Sequence, residues 1–136
     1  MEIKIYYEDT DCGGVVYYAN YFKYFERART HYLEDHGLSV PALHQQGVVF
    51  VVTETNASFK SPARYGDILV IKTAISAPRK SVLTFSHIIH ERQSQRIIVE
   101  GSASLVMTNG QGKVSRIPTD FLEALKISDQ SASACS

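Results

Sequence analysis

Two aspartates and two glycines fall within six residues, Asp9-Thr-Asp-Cys-Gly-Gly14, directly before a long stretch of helical periodicity. A carboxylate in that place can activate water or attack a carbonyl itself. The first amides of a helix point outward with partial positive charge, so they bind an anion or a polarised carbonyl oxygen. Glycines let a ligand approach the backbone. An acid beside oxyanion donors is a workable acyl-transfer constellation, although the same residues also make an ordinary turn. Within the segment Asp9 reads as a turn former, and Asp9 with Asp11 lacks a third ligand for a metal. Cys12 has no adjacent His or cation to lower its pKa and is a poor nucleophile. His87 and His90, three apart in a strand, point to opposite faces and cannot chelate one ion. His87 shares a face with Leu83, Phe85 and Ile89 and reads as a satisfied core histidine. Glu26 is the second candidate acid, expected to pair with a neighbouring Arg.

The elements that must position this turn follow from periodicity. Glu2–Glu8 reads as a strand, broken by the acidic turn. From Ala19 to His36, Tyr21, Phe25, Ala28 and Tyr32 recur on one helical face, widened by Phe22 and Leu33. Asn20 is placed to cap this helix and Gly37 to stop it. A short helical turn over 39–46 ends at Gly47. Strand periodicity then takes over: 48–61 with odd positions Val49 to Phe59 on one face, 67–77, 82–91 after a hairpin loop at 78–81, and 96–109. Lys113–Ile117 could form a last strand, and Thr119 could cap a terminal helix through Lys126. One long helix followed by consecutive strands implies an α+β domain with an antiparallel sheet packed on that helix. Gly101 and Ala103 would let the helix backbone approach a central strand. Apolar residues on both strand faces (Ile68 and Val70 beside Leu69 and Ile71) call for burial by oligomerisation.

Composition bounds the function. The 136 residues carry 14 basic and 14 acidic side chains, which argues against a dedicated nucleic-acid binder. Seven of eight tyrosines precede residue 33, and there is no Trp. The longest central apolar run, Val48–Val52, is too short to span a bilayer, and the first residues lack a secretory signal. With two cysteines and no disulfide framework, the expected compartment is cytoplasmic. One domain is expected over 1–127, with a tail at 128–136.

The run Tyr-Tyr-Glu-Asp-Thr-Asp-x-Gly-Gly-Val-Val-Tyr, continuing to Ala-Asn-Tyr and Phe-Glu-Arg-Ala-Arg-Thr, resembles the hotdog-fold acyl-CoA thioesterases. The similarity is to the YbgC-like, Tol–Pal-associated enzymes and their 4-hydroxybenzoyl-CoA thioesterase relatives. Pro62-Ala63-Arg64 followed by Gly66-Asp67 adds to it, and it covers about residues 2–118. The resemblance implies a sheet wrapped around one long central helix. It further implies hydrolysis of acyl-CoA, short-chain aliphatic or aromatic, to free acid and CoA without metal or redox cofactor. Asp11 is then nucleophile or general base, and the Tyr18 backbone N–H the oxyanion donor. YbgC-like members often carry His where this chain has Tyr18, a change that a backbone donor survives. Substrate contacts are expected from Gly13, Gly14, Val16 and Tyr7, and contacts to the CoA phosphates from Arg79 and Lys80, with Lys60 and Arg64 as further candidates. Members form dimers, often paired into tetramers, with active sites at the subunit interface. The alternatives are an acyl-acyl carrier protein thioesterase and a non-catalytic acyl-thioester-binding or scaffold protein. A hotdog hydratase is disfavoured, because the fifth position after Asp11 is Val16, not His. A DNA-binding acyl sensor would need a second domain that this length does not hold.

Overall fold

The computed structural model describes residues 1–79 and 81–126, so Lys80 and the expected tail at 128–136 lie outside the described residues. Five strands, β1 (Glu2–Lys4), β2 (Val49–Phe59), β3 (Ile68–Arg79), β4 (Val82–Glu91) and β5 (Ile97–Thr108), are joined by α1 (Asn20–Asp35), α2 (Val40–Gln45) and α3 (Thr119–Leu125). They form one antiparallel sheet in the order β1-β3-β4-β5-β2. The α+β expectation holds, with α1 lying on the sheet's inner face.

The helix buries Tyr21, Tyr24, Phe25, Ala28 and Leu33. Tyr21 to Ala28 pack with Ile71, Ile89, Ile98 and Val99. Leu33 joins Leu83, Phe85, Ala103, Leu105 and Met107, closed by Phe121, Leu122 and Leu125 of α3. Each fully buried large side chain contributes about 1.5–3 kcal/mol. Phe25 crosses β5 at Gly101: a Cβ there would lie 2.6 Å from the Phe25 ring and 2.6 Å from the Asn56 carbonyl oxygen. The helix approaches as closely as it does because that side chain is missing. At the other end Gly37, with φ +78°, terminates α1, and Leu38 N–H donates back to the Leu33 carbonyl at 2.9 Å.

Several expectations require correction. The first strand ends at Lys4, because Tyr6 N–H donates to Asp9 Oδ2 at 2.8 Å and closes a 3-10 turn over Tyr7–Asp9. The N-cap of α1 is Ala19, already helical, and not Asn20. A bulge between Val52 and Glu54 exchanges the faces of β2, so Phe50 and Ala57, of opposite parity, both reach the core. The outer face of the sheet is mixed, with Ile68 and Val70 on it opposite the buried Leu69 and Ile71, as expected, but polar further along. That face carries Lys72, Ala74, Ser86, Ser102 and Ser104, with Ile88 its large exposed apolar side chain on β4. Val114 makes only an isolated bridge to Thr108, and α3 is preceded by Pro118 with no side-chain cap. Strand β3 runs through Pro78 to Arg79, where the sequence suggested a loop.

His87 sits in the central row of the sheet, opposite Thr73 and Gly101, fully buried and stacked on Phe25 at 4.7 Å. Its Nδ1 meets Thr73 Oγ1 at 3.1 Å, while Nε2 has no partner, so this core histidine is only half satisfied. Burial, and then the Arg29 charge, lower its pKa from 6.5 to about 4. The unfolded chain therefore binds the proton more readily than the folded one, and stability rises with pH across that window. The stabilisation is fully present above pH 6.5, and on the order of 3 kcal/mol is lost on descending to pH 4. The melting temperature of the wild type is expected to fall between pH 6.5 and pH 4 more steeply than that of His87→Phe. Parallel curves would show that His87 titrates alike in both states.

Candidate active site

The acidic turn is built by its own backbone. Asp11 N–H donates to the Val15 carbonyl at 2.9 Å and Gly14 N–H to the Asp11 carbonyl at 3.1 Å, with Gly14 at φ +79°. That left-handed angle favours glycine. Gly13 N–H donates to Asp11 Oδ1 at 2.8 Å, which fixes the carboxylate over the turn and leaves Oδ2 without a partner among the described residues. The group is exposed.

Two anchors hold the turn on the fold. Val16 N–H donates to the Ala63 carbonyl at 2.8 Å and Val15 bridges Arg64, which ties it to the loop before β3. The Asp9 carbonyl accepts Tyr17 N–H at 3.0 Å and the Asn20 side-chain amide at 2.9 Å. Asn20 thus fastens the turn to the helix. The first helical bonds run from Asn20 N–H to the Tyr17 carbonyl and from Tyr21 N–H to the Tyr18 carbonyl. Among the described residues, the N–H groups of Tyr18 and Ala19 donate to no protein acceptor. They are the orphan donors of a helix start.

Beside them lies a cleft of 290 Å³ lined by Val16, Tyr18, Tyr21, Phe59, Lys60 and Ser61 among others. The Tyr18 and Phe59 rings meet edge-on at 6.2 Å while remaining 58% and 50% exposed. Burial, and the Asp9 carboxylate beside it, raise the Tyr24 phenol above its ordinary value. Burial raises Tyr21, and the hydrogen bond with Tyr18 raises Tyr17. These three rings therefore stay protonated at neutral pH and offer neutral hydroxyls.

Of the residues singled out from sequence, Val16 and Tyr18 line this cleft, while Asp11, Gly13 and Gly14 form the turn that leads into it and are not part of its lining. Tyr7 is near them in the chain but packs edge-on against Tyr65 at 5.9 Å and is not part of the cleft lining. Arg79 ends β3, eleven residues beyond Ile68, roughly 36 Å along the strand from the side of the sheet that holds the turn. Lys80 lies outside the described residues. Lys60 and Arg64 flank the site instead. Glu26 makes no ion pair among the described residues, contrary to expectation. Phe59, Ser61 and Arg96 are additions. Arg96 donates to the Pro62 carbonyl at 2.6 Å and to Ser61 Oγ at 3.1 Å, bracing the loop under the cleft. Phe59 and Ser61 had as sequence signal only a place near the Pro62-Ala63-Arg64 turn, and Arg96, 34 residues from Pro62, had none. No cluster of metal-ligating side chains occurs among the described residues, and no helix there is long and apolar enough to cross a membrane.

Residues 6–125 match the family model described as the thioesterase-like superfamily. The chain belongs to that superfamily. Its architecture is the hotdog fold, as the sequence motif implied. Over 84 residues it is 45% identical to the acyl-CoA thioester hydrolase YbgC of Escherichia coli, a stretch covering 62% of this chain and 63% of that protein. A crystal structure of a protein from Thermus thermophilus matches with a TM-score of 0.86 at 32% identity, covering 93% of this chain and 95% of that one. The DHNA-CoA thioesterase of Staphylococcus aureus matches with a TM-score of 0.86 at 27% identity, covering 93% and 87%.

Replacing Asn20 by Ala removes the side-chain bond to the Asp9 carbonyl. The denaturation midpoint is expected to drop by the equivalent of about 1 kcal/mol. An unchanged midpoint would show that the backbone bond from Tyr17 suffices.

Proposed function

We propose that this thioesterase-superfamily chain hydrolyses acyl-CoA thioesters at the Asp11 turn. The observation that carries the reading is one juxtaposition. A carboxylate with a free oxygen stands directly before a helix start whose Tyr18 and Ala19 amides have no acceptor. The thioester carbonyl oxygen sits against Tyr18 N–H, which stabilises the charge that develops there. Asp11 either attacks the carbonyl carbon, expelling the thiolate to give a mixed anhydride that water cleaves, or takes the proton of an attacking water. Gly13, Gly14 and Val16 bound the reacting centre, and the Tyr18 and Phe59 rings flank the acyl-thioester arm. Lys60 and Arg64 suit the CoA phosphates by position, whereas Arg79 would have to come from another copy. The names of the Escherichia coli and Staphylococcus aureus relatives support a CoA thioester as substrate. An acyl carrier protein thioester is the other form the same site would accept. The reaction needs no metal or cofactor beyond the CoA of the substrate.

The oligomer follows from the sheet edge. Strand β2 has β5 on one side and no described neighbour on the other, and it exposes Val51, Val52 and Phe59. Long exposed strand edges are normally covered or paired. Two-fold antiparallel pairing of two β2 edges covers both at once. It brings the Phe59 end of one copy beside the Val49 end of the other, which places each Tyr18 cleft at the interface.

Asp11→Asn keeps the size of the side chain and the acceptor for Gly13 N–H. Thiol release from acyl-CoA is expected to fall about 10²–10⁴-fold, with circular dichroism and oligomer size unchanged. Retention of more than a tenth of the rate would reject Asp11, and binding without thiol release in the wild type would make the chain an acyl-thioester carrier.

A further inference from the structure

Arg96 acts near the site from a distant hairpin, without lining the Tyr18 cleft. The turn between β4 and β5 is fixed by its own groups. The Glu91 carboxylate accepts Gln93 and Ser94 N–H, each at 2.9 Å, and Gln95 adopts φ +62°. A left-handed angle in a residue other than glycine persists where the surroundings impose it. Glu91 N–H donates to the Arg96 carbonyl at 2.9 Å, and β5 begins at Ile97. The Arg96 side chain leaves this hairpin for the loop before β3. Its Nη1 donates to the Pro62 carbonyl at 2.6 Å and to Ser61 Oγ at 3.1 Å, and its Nη2 lies 3.7 Å from Asp67 Oδ2. The planar fork of a guanidinium engages several acceptors at once, which an ammonium does not match.

The loop has little other support at this point. Pro62 has no N–H to donate, and its carbonyl accepts no backbone N–H among the described residues. The same Asp67 Oδ2 accepts Arg64 N–H at 2.9 Å, so Arg96 grips the chain on both sides of Ala63. From Ala63 the connection to the Asp11 turn is direct. The Ala63 carbonyl accepts Val16 N–H at 2.8 Å, Val15 bridges Arg64, and the Val15 carbonyl accepts Asp11 N–H at 2.9 Å. Lys60 is held separately, by its own N–H on the Ile98 carbonyl at 2.8 Å.

We propose that Arg96 is a positioning residue for hydrolysis: it holds the 61–64 loop where Ala63 and Arg64 fix the Asp11 turn, and so sets the rate without touching the substrate. The proposal rests on the thioesterase reading. In Arg96→Met, kcat for acyl-CoA is expected to fall about tenfold, since small misplacements of a reacting group are costly. KM is expected to stay within about twofold, because Lys60 keeps its own anchor. Arg92, in the same hairpin, pairs with Glu2 at 3.4 Å, and Arg92→Met is expected to keep the wild-type kcat. In an Asp11→Asn background the Arg96→Met loss is expected to shrink below about twofold, because the turn no longer presents the acid. Arg96→Lys keeps the charge without the fork; its smaller loss of kcat serves if Arg96→Met folds poorly. Hydrogen exchange of the Val16 amide, read without turnover, is expected to be several-fold faster in either Arg96 variant than in Arg92→Met. Wild-type kcat in both Arg96 variants, an equal loss in Arg92→Met, an undiminished loss beside Asp11→Asn, or unchanged Val16 exchange would each overturn the proposal. Absence of thiol release from the wild type, with Val16 exchange still dependent on Arg96, would instead remove the thioesterase reading and with it the role of Arg96 in hydrolysis.

Discussion

The carbonyl of Asp9 accepts two hydrogen bonds, one from the Tyr17 backbone and one from the Asn20 side chain. Through them the turn that carries Asp11 is fixed to the start of α1. Without that attachment the carboxylate and the orphan amides of the helix would be independent groups on a mobile segment. With it they share one frame, which is what the proposed reaction asks of an acid and a donor. The second attachment, from Val15 and Val16 to Ala63 and Arg64, adds the loop that bears Lys60 and Ser61. Two distant pieces of sequence thus meet at one cleft.

The position of α1 itself is set by the sheet beneath it. Gly101 permits Phe25 to lie against β5, and the ring stacks on His87 of the neighbouring strand. That contact places an imidazole with an unpartnered nitrogen in the fully buried core. The same packing leaves the β2 edge uncovered at both ends of the helix. The start of the helix holds the Tyr18 cleft, and a cavity lined in part by Arg29 lies beneath its middle.

Local features were legible in the sequence. The acidic turn, the glycines that need left-handed angles, the long helix with its Gly37 stop and the small residue at Gly101 all depend on near neighbours or on one periodicity. Non-local pairing was not legible. The bulge near Thr53 reverses the faces of β2, so alternation alone misassigned Phe50. Asn20 carries the sequence signature of a cap, yet its amide serves a carbonyl eleven residues earlier, which only the folded turn reveals. Arg79 was placed in a hairpin loop by its neighbours, whereas pairing with β4 extends β3 through Pro78 to include it. The motif that pointed to the thioesterases is continuous in sequence. The cavity beneath α1, by contrast, is assembled from two helices and three strands.

The central claim is that Tyr18 N–H polarises the thioester carbonyl beside Asp11. Difference Raman spectroscopy of an aroyl-CoA bound to Asp11→Asn reads this directly, since a hydrogen bond stronger than those from water lowers the carbonyl stretching frequency. The account predicts a stretch at lower frequency than that of the same thioester in water. A stretch at or above the value in water would mean that the helix amide does not engage the carbonyl, and would contradict it.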